Sequence, residues 1–448
     1  MSPARDTIAA IATPPGRGGI AIVRVSGPAA PAIVRAVTGR APVPRRAVFS
    51  RFRDATGEPL DEGLVVYFPA PASFTGEDVV EFQGHGSPVI CDLLLARLLE
   101  LGTRLAEPGE FSLRAFLNDR IDLVQAEAIA DLVASRSVQA ARAALRSLDG
   151  EFSRQVHALV AALTRVRVYV EAAIDFPDEE LDFLDDAALR EGLAGVQRRF
   201  DALAAAVRQG RLLAEGFSVV IAGPPNAGKS SLLNALAGSD AAIVTPVAGT
   251  TRDILREQIL IGGMPLNIVD TAGLRDTSDV VEREGVRRAR GELARADHAL
   301  LVVDGSTTDD AECAALRAEL PEGLAYTLVL NKLDLGHPPG LEPRCANTVA
   351  VSALTGAGLE GLRTALAEAA GLGEDATTTI TARRRHLDAL ARARGHLDEG
   401  LHQLEAFRAG ELLAEELRLA QVELGAVTGE VTSDDLLGEI FSSFCIGK

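Results

Sequence analysis

The stretch GPPNAGKS at Gly223–Ser230 constrains this chain more than any other feature. It satisfies the spacing G-x-x-x-x-G-K-[ST], follows the apolar run Phe217–Ala222 and precedes a helical run, Ser231–Leu236. A loop of this kind exposes successive backbone N–H groups that wrap phosphates, and the N-terminus of the next helix adds positive potential. Lys229 supplies a point charge to the β- and γ-phosphates, and the Ser230 hydroxyl offers an oxygen to Mg²⁺. Asn226, Ala227, Gly228 and Ser231 complete the loop. A chance glycine turn is the alternative, and the placement between a strand and a helix weighs against it.

Three further motifs follow in the order that a guanine-nucleotide switch needs. The segment Thr245, Pro246, Val247, Ala248, Gly249, Thr250, Thr251 runs into AGTTRD (Ala248–Asp253), in which Thr251 offers a second Mg²⁺ ligand. Asp270, Thr271, Ala272 and Gly273 (DTAG) end an apolar strand. There Asp270 can hold a Mg²⁺-bound water, and the Gly273 amide can reach the γ-phosphate. NKLD, with Asn331, Lys332 and Asp334, ends another. The Asp334 carboxylate can accept from N1–H and the 2-amino group of guanine. Adenine lacks both donors and would leave the carboxylate unpaired, a loss that discriminates by about 10⁴ or more. Ser352, Ala353 and Leu354, after the last strand, can offer a backbone N–H to guanine O6. GTP with Mg²⁺ is the expected ligand.

The hydrolytic machinery is less legible. Many such switches carry Gln after DTAG to orient water, but here that residue is Leu274. Glu282, twelve residues after Asp270, can take the role directly or through water; a solvated helix carboxylate is the alternative. The side-chain oxygen of Asn226, with carbonyls of Thr245 and Val247, can bind a monovalent cation that stabilises developing negative charge; alternatively Asn226 only closes the turn.

Around this unit the texture changes. Residues 1–118 mix short β-branched runs (Ile20–Val25, Leu64–Phe68, Asp78–Phe82) with Gly/Pro punctuation and one helical stretch, Val89–Leu101. Ile121 to about Ala173 and a run ending near Ala214 are helical, as is the tail from Arg383 to Leu424. Between them, from Gly216 to about Gly373, strand-like and helical runs alternate. The 448 residues carry a formal charge of −18, so nucleic-acid binding would need a local basic patch or a helper subunit. The four cysteines form no CxxC pair and the seven histidines no HExxH, against a zinc site or disulfide framework. No apolar run approaches the length of a membrane span, and no signal peptide is visible, so a soluble cytoplasmic chain is expected.

Beyond the nucleotide motifs, DTIAAIATPPGRGGIAIVRVSG, SFTGEDVVEFQGHGSP, EPGEFSLRAFLNDRIDLVQAEAIADLV and the terminal FCIGK make the whole chain resemble the MnmE (TrmE) family of tRNA-modification GTPases, of the translation-factor-related class of P-loop GTPases. The resemblance implies a multidomain fold. Residues 1–118 would be an α+β folate-binding and dimerisation domain. Residues 119–215 and 373–448 would form one helical domain. Into it a GTPase domain, 216–372, a mixed sheet flanked by helices, would be inserted. It also implies a homodimer and a heterotetramer with the FAD protein MnmG (GidA). Together they install aminomethyl or carboxymethylaminomethyl groups at C5 of wobble uridine in certain tRNAs. The carbon would come from a 5,10-methylene- or 5-formyl-tetrahydrofolate type donor.

On matching positions the resemblance makes Asn226, Thr245, Val247 and Thr250 a K⁺ site and Glu282 the catalytic glutamate, beside Lys229 and Gly273. It places Arg24, Glu81, Arg120 and Lys448 at the folate. Cys445 would lie near the folate and matter for tRNA modification; a buried structural thiol is the other reading. The arginines of Gly39–Arg53 and RRRH at Arg383–His386 are local basic patches, open to reading as solvated faces or as tRNA contacts. Two other functions stay in view: a regulatory switch in ribosome assembly, and a standalone folate-dependent aminomethyltransferase with a GTPase insert.

Overall fold

The computed structural model describes residues 6–135, 137–175, 187–238, 256–261, 264–270, 296–336, 347–371, 380–431, 433–445 and 447. The chain divides into two compact units. One comprises Met1–Val133, Ser147–Val196 and Ala389–Lys448; the other comprises Ala134–Arg146 and Gln197–Asp388.

The first unit begins with a six-stranded sheet of order β3-β4-β5-β2-β1-β6. Its strands are β1 (Ile8–Ile11), β2 (Gly18–Ser26), β3 (Val48–Arg53), β4 (Pro59–Phe68), β5 (Val79–Gly86) and β6 (Arg104–Leu105). Alternation in β2, β3 and β5 sends Val23, Val25, Phe52, Val80 and Phe82 to one face. There they pack with Ile33, Val34 and Val37 of helix α1 (Ala30–Thr38) and Leu94 and Leu98 of α2 (Pro88–Glu100). Period-two burial under a helical layer is the physical reason this sheet forms. Sequence reading finds β2, β4 and β5 but passes over β1, β3, β6 and α1. Their runs are short, and the arginines of β3 mask its alternation.

Helices make up the rest of this unit: α3 (Glu110–Leu117), α4 (Leu123–Ala134), α6 (Glu151–Asp175) and three near the end of the chain, the first of them α11 (Arg384–Phe407). The stretch from Ile121 to about Ala173, expected to be helical, forms three helices, α4, α5 (Val138–Leu148) and α6. Gly150, at φ +82°, turns the chain between the last two. The C-terminal α12 (Gly410–Thr428) packs along α6. Gln421 accepts from Arg167 at 2.5 Å and donates to Thr164 at 2.6 Å. Residues 254 and 257 positions apart thus share one helical layer, which periodicity alone could not reveal. The last helix, α13 (Asp434–Ser442), buries Leu437, Ile440 and Phe441 with Leu123 and Ala126 of α4.

The second unit is a sheet of order β12-β11-β10-β7-β9-β8. It comprises β7 (Phe217–Ala222), β8 (Arg256–Ile261), β9 (Met264–Asp270), β10 (His298–Asp304), β11 (Tyr326–Asn331) and β12 (Thr348–Ala350). All neighbours are parallel except β8 and β9. The strands β10 and β11 are buried almost throughout, as continuous apolar runs in a two-sided parallel sheet must be. Its helices include α8 (Lys229–Ala237), α9 (Asp310–Ala318) and α10 (Leu359–Ala369). Arg211 of α7 (Ala187–Glu215) reaches Asp297 at 2.5 Å, and Asp297 also accepts from Ser218 N–H at 3.0 Å, fixing the start of β7.

Candidate functional site

Ligands of open parallel sheets bind beyond the carboxyl ends of the strands, where strand order reverses. Here β9 and β10 flank β7 on opposite sides, and the loop after β7 is GPPNAGKS. The loop needs its glycines. Gly223 has φ +144°, and a Cβ there would lie 2.0 Å from the Val302 carbonyl oxygen. Gly228 has φ +89°, and a Cβ would meet Asn331 Nδ2 at 2.3 Å. Asn226 takes the left-handed conformation at φ +62°, which Asn tolerates better than most residues. Gly228 caps α8, so the free N–H groups of its first turn open onto the loop. The Lys229 ammonium lies within the turn, donating to the carbonyls of Gly223 at 3.0 Å and Pro224 at 2.8 Å. Ser230, next on the helix, is exposed. The donor set fits a polyphosphate, and the Ser230 hydroxyl is of the kind that ligates Mg²⁺.

The base-reading end is built on β11 and the turn after β12. Asn331, 2% exposed, joins the two motifs. Its Nδ2 donates to the Ala227 carbonyl at 2.9 Å, and its Oδ1 accepts from Ala353 N–H at 3.0 Å. Ser352 Oγ donates to Asp334 Oδ1 at 2.5 Å, which holds the acid against the SAL turn. Leu333 N–H donates to the Val351 carbonyl at 3.0 Å, fixing NKLD to the end of β12. The N–H groups of Ser352 and Ala353 are both engaged within the protein, with Ala357 O and Asn331 Oδ1. Lys332 has φ +65° and reaches Asp304 Oδ2 at 2.6 Å. The hydrogen bond from Lys332, then that from Ser306, holds the Asp304 carboxyl below its ordinary range. Sequence reading missed Asp304. Its signal was available, since it ends the apolar strand β10 as Asp270 ends β9.

A second constellation lies in the first unit, on the sheet face opposite α1 and α2. Arg24 on β2 and Glu81 on β5 are direct partners in the ladder and pair at 2.9 Å. Arg24 Nη1 also donates to the carbonyl of Gly447 at 3.2 Å. Its guanidinium lies 5.9 Å from the Phe74 ring centroid and 5.7 Å from that of Phe111. Gly109 N–H meets the Cys445 carbonyl at 3.4 Å, and a Cβ on Gly447 would stand 2.6 Å from Ile11 O. The end of the chain is thereby brought to Arg24. The Cys445 thiol is exposed, so the reading as a buried structural thiol does not hold. Arg120 is exposed beside Gly76. Thr245 through Thr251, Thr271, Ala272, Gly273, Glu282 and Lys448 lie outside the described residues, and Asp270 is described only as the last residue of β9.

A phosphate loop after the central strand, with an Asn–Asp base reader two strands away, defines the class: a P-loop GTPase. Two family models match the chain, "GTP-binding protein TrmE N-terminus" over residues 7–120 and "MnmE helical domain" over residues 123–445. The tRNA modification GTPase MnmE of Stutzerimonas stutzeri is 58% identical over 456 residues, covering 100% of both chains. That of Yersinia pseudotuberculosis is 58% identical over 450 residues, covering 99% of each. Among solved structures, the G domain of the T. maritima FeoB iron transporter is similar over 34% of this chain and 98% of its own, at 28% identity and a TM-score of 0.26. The chain belongs to the MnmE (TrmE) family of tRNA modification GTPases.

Proposed function

We propose that this chain is a K⁺-activated GTPase that works with the FAD protein MnmG to form the 5-(carboxymethyl)aminomethyl group on the wobble uridine of certain tRNAs. The observation that carries the reading is the Asn331 bridge. One buried side chain ties the phosphate loop at Ala227 to the base-reading turn at Ala353, so phosphate and guanine are gripped by one rigid element. Hydrolysis converts GTP and water to GDP and phosphate. Lys229 and the Gly273 amide hold the γ-phosphate, and Glu282 orients the attacking water. Mg²⁺ held by Ser230 and Thr251, and K⁺ held by Asn226, Thr245, Val247 and Thr250, would supply positive charge against the developing phosphate charge.

We assign folate to the Arg24–Glu81 constellation. A carboxylate suits the guanine-like ring of folate, and Arg24, Arg120 and Lys448 suit its acidic tail. The chain would act as a cytoplasmic homodimer, joined by MnmG in a heterotetramer. Its domains would be 1–118, 119–215 with 373–448, and 216–372. Among the described residues no helix is long and apolar enough to cross a membrane.

Two measurements test this. The GTPase rate should be higher in K⁺ than in Na⁺; equal rates discard the cation site. Cells lacking the protein should lose the wobble-uridine modification from tRNA and regain it on complementation. Unchanged nucleosides discard the tRNA role and favour a switch in ribosome assembly.

A further inference from the structure

Residues 7–53 hold eight arginines and no aspartate or glutamate, in a chain whose formal charge is −18. Opposite charges are normally interspersed on a surface, so this segregation concentrates positive potential on one part of an acidic molecule. The structure gathers much of it at one edge of the N-terminal sheet. Arg35 stands in the last turn of α1, which packs on β3; Arg40 follows the Gly39 cap; Arg46 precedes β3, the edge strand. All three are exposed, and among the described residues their side chains make no ion pair.

On β3 itself, Phe49, Arg51 and Arg53 alternate with buried Ser50 and Phe52, so they point to the face away from α1, about 6.6 Å apart, and the proposed surface wraps the edge from the α1 side to this one. Phe49 is 59% exposed, an aromatic face between arginines. Arg51 pairs with Glu62 at 3.3 Å, but both are solvated and such a pair is worth little. Arginines on an edge strand also block unwanted strand pairing. That role accounts for Arg51 and Arg53 and leaves Arg40 and Arg46, which lie off the strand, unexplained.

We infer that this edge is a contact surface for tRNA, with Arg35, Arg40 and Arg46 on backbone phosphates and Phe49 stacking on an unpaired base. The inference rests on the reading of tRNA as substrate. Unpaired guanidiniums release counterions when they meet phosphate, and an exposed ring offers a stacking platform of the kind that single-stranded segments use. It eases the conflict between an acidic protein and an RNA substrate, because the positive charge is concentrated at this edge.

The test is binding of the full-length protein to a fluorescein-labelled, unmodified tRNA transcript, by anisotropy at several salt concentrations. Replacing Arg35, Arg40 and Arg46 together by Gln should reduce the slope of log Kd on log salt by about two, at ~0.7–0.9 per phosphate, and weaken binding about tenfold or more. Phe49→Ala should weaken binding about tenfold with the salt slope unchanged. The GTPase rate of both variants should equal wild type, which shows that they fold. A triple variant with wild-type slope and affinity overturns the surface. A triple variant that alters self-association in sedimentation and leaves the slope intact assigns the edge to a second copy and overturns it too. Wild-type protein with no affinity for tRNA overturns the underlying reading.

Discussion

Asn331→Ala isolates the joint between phosphate and base recognition. The substitution orphans two backbone groups, the Ala227 carbonyl and the Ala353 N–H, at a residue 2% exposed. An unsatisfied buried polar group costs about 1–3 kcal/mol. Ala227 is fully buried and Ala353 half-buried, so water relieves part of the second loss, and the total comes to about 2–4 kcal/mol. If nucleotide must reform both loops on binding, about 2 kcal/mol corresponds to a roughly thirtyfold rise in Kd for GDP. Calorimetric titration of the full-length variant measures this, with circular dichroism to confirm helix content. Asn331→Asp sharpens the test. It keeps an acceptor for Ala353 N–H but sets an oxygen against the Ala227 carbonyl, so it should not restore affinity. Wild-type affinity in Asn331→Asp, or a change below threefold in Asn331→Ala, would refute the bridging role.

Other outcomes follow from the same geometry. Gly228→Ala should abolish nucleotide binding, because its Cβ would overlap Asn331 Nδ2 at 2.3 Å in a left-handed conformation; titration with GDP reads this directly. Arg24→Ala should weaken folate binding in a fluorescence titration and leave GTP hydrolysis unchanged, since the two constellations lie in different units. Acid should weaken the first unit through Glu110. Burial raises the pKa of this carboxyl, but hydrogen bonds from Arg104, Glu107 N–H and Arg114 outweigh it and hold the pKa below the usual 4.5. The stabilisation is therefore fully present above pH 4.5 and is lost as pH falls through the lowered folded value. Glu110→Gln should flatten that loss in urea denaturation followed from pH 6 to pH 3, and an unchanged acid profile would exclude this source.

The phosphate loop and the NKLD motif were legible because their determinants are local. A phosphate loop is eight consecutive residues whose glycines answer to backbone conformation, and Asp270 and Asn331 announce themselves by ending apolar strands. What residue patterns could not deliver, without the family resemblance, is long-range. Arg24, Glu81 and Gly447 meet through a ladder partnership and a returning C-terminus, with no shared pattern to join them. Arg114 looks like an ordinary helix-surface cation. It is 4% exposed and holds Asp6, Glu77 and Glu110 at 2.7, 3.2 and 2.9 Å, tying the start of the chain to α3. Buried charge networks are invisible to composition because each member reads as solvated. The pairing of α6 with α12 is hidden for the same reason: amphipathic periodicity tells which face is apolar but not which helix covers it.

The central claim is that one site reads guanine at Asp334 and phosphate at Lys229. Competition of GTP and ATP for a fluorescent guanine nucleotide on the full-length protein tests it most directly. The account predicts displacement by GTP, displacement by ATP only at concentrations about 10⁴-fold higher or more, and loss of that discrimination in Asp334→Ala. Equal displacement by the two nucleotides in wild-type protein would contradict it.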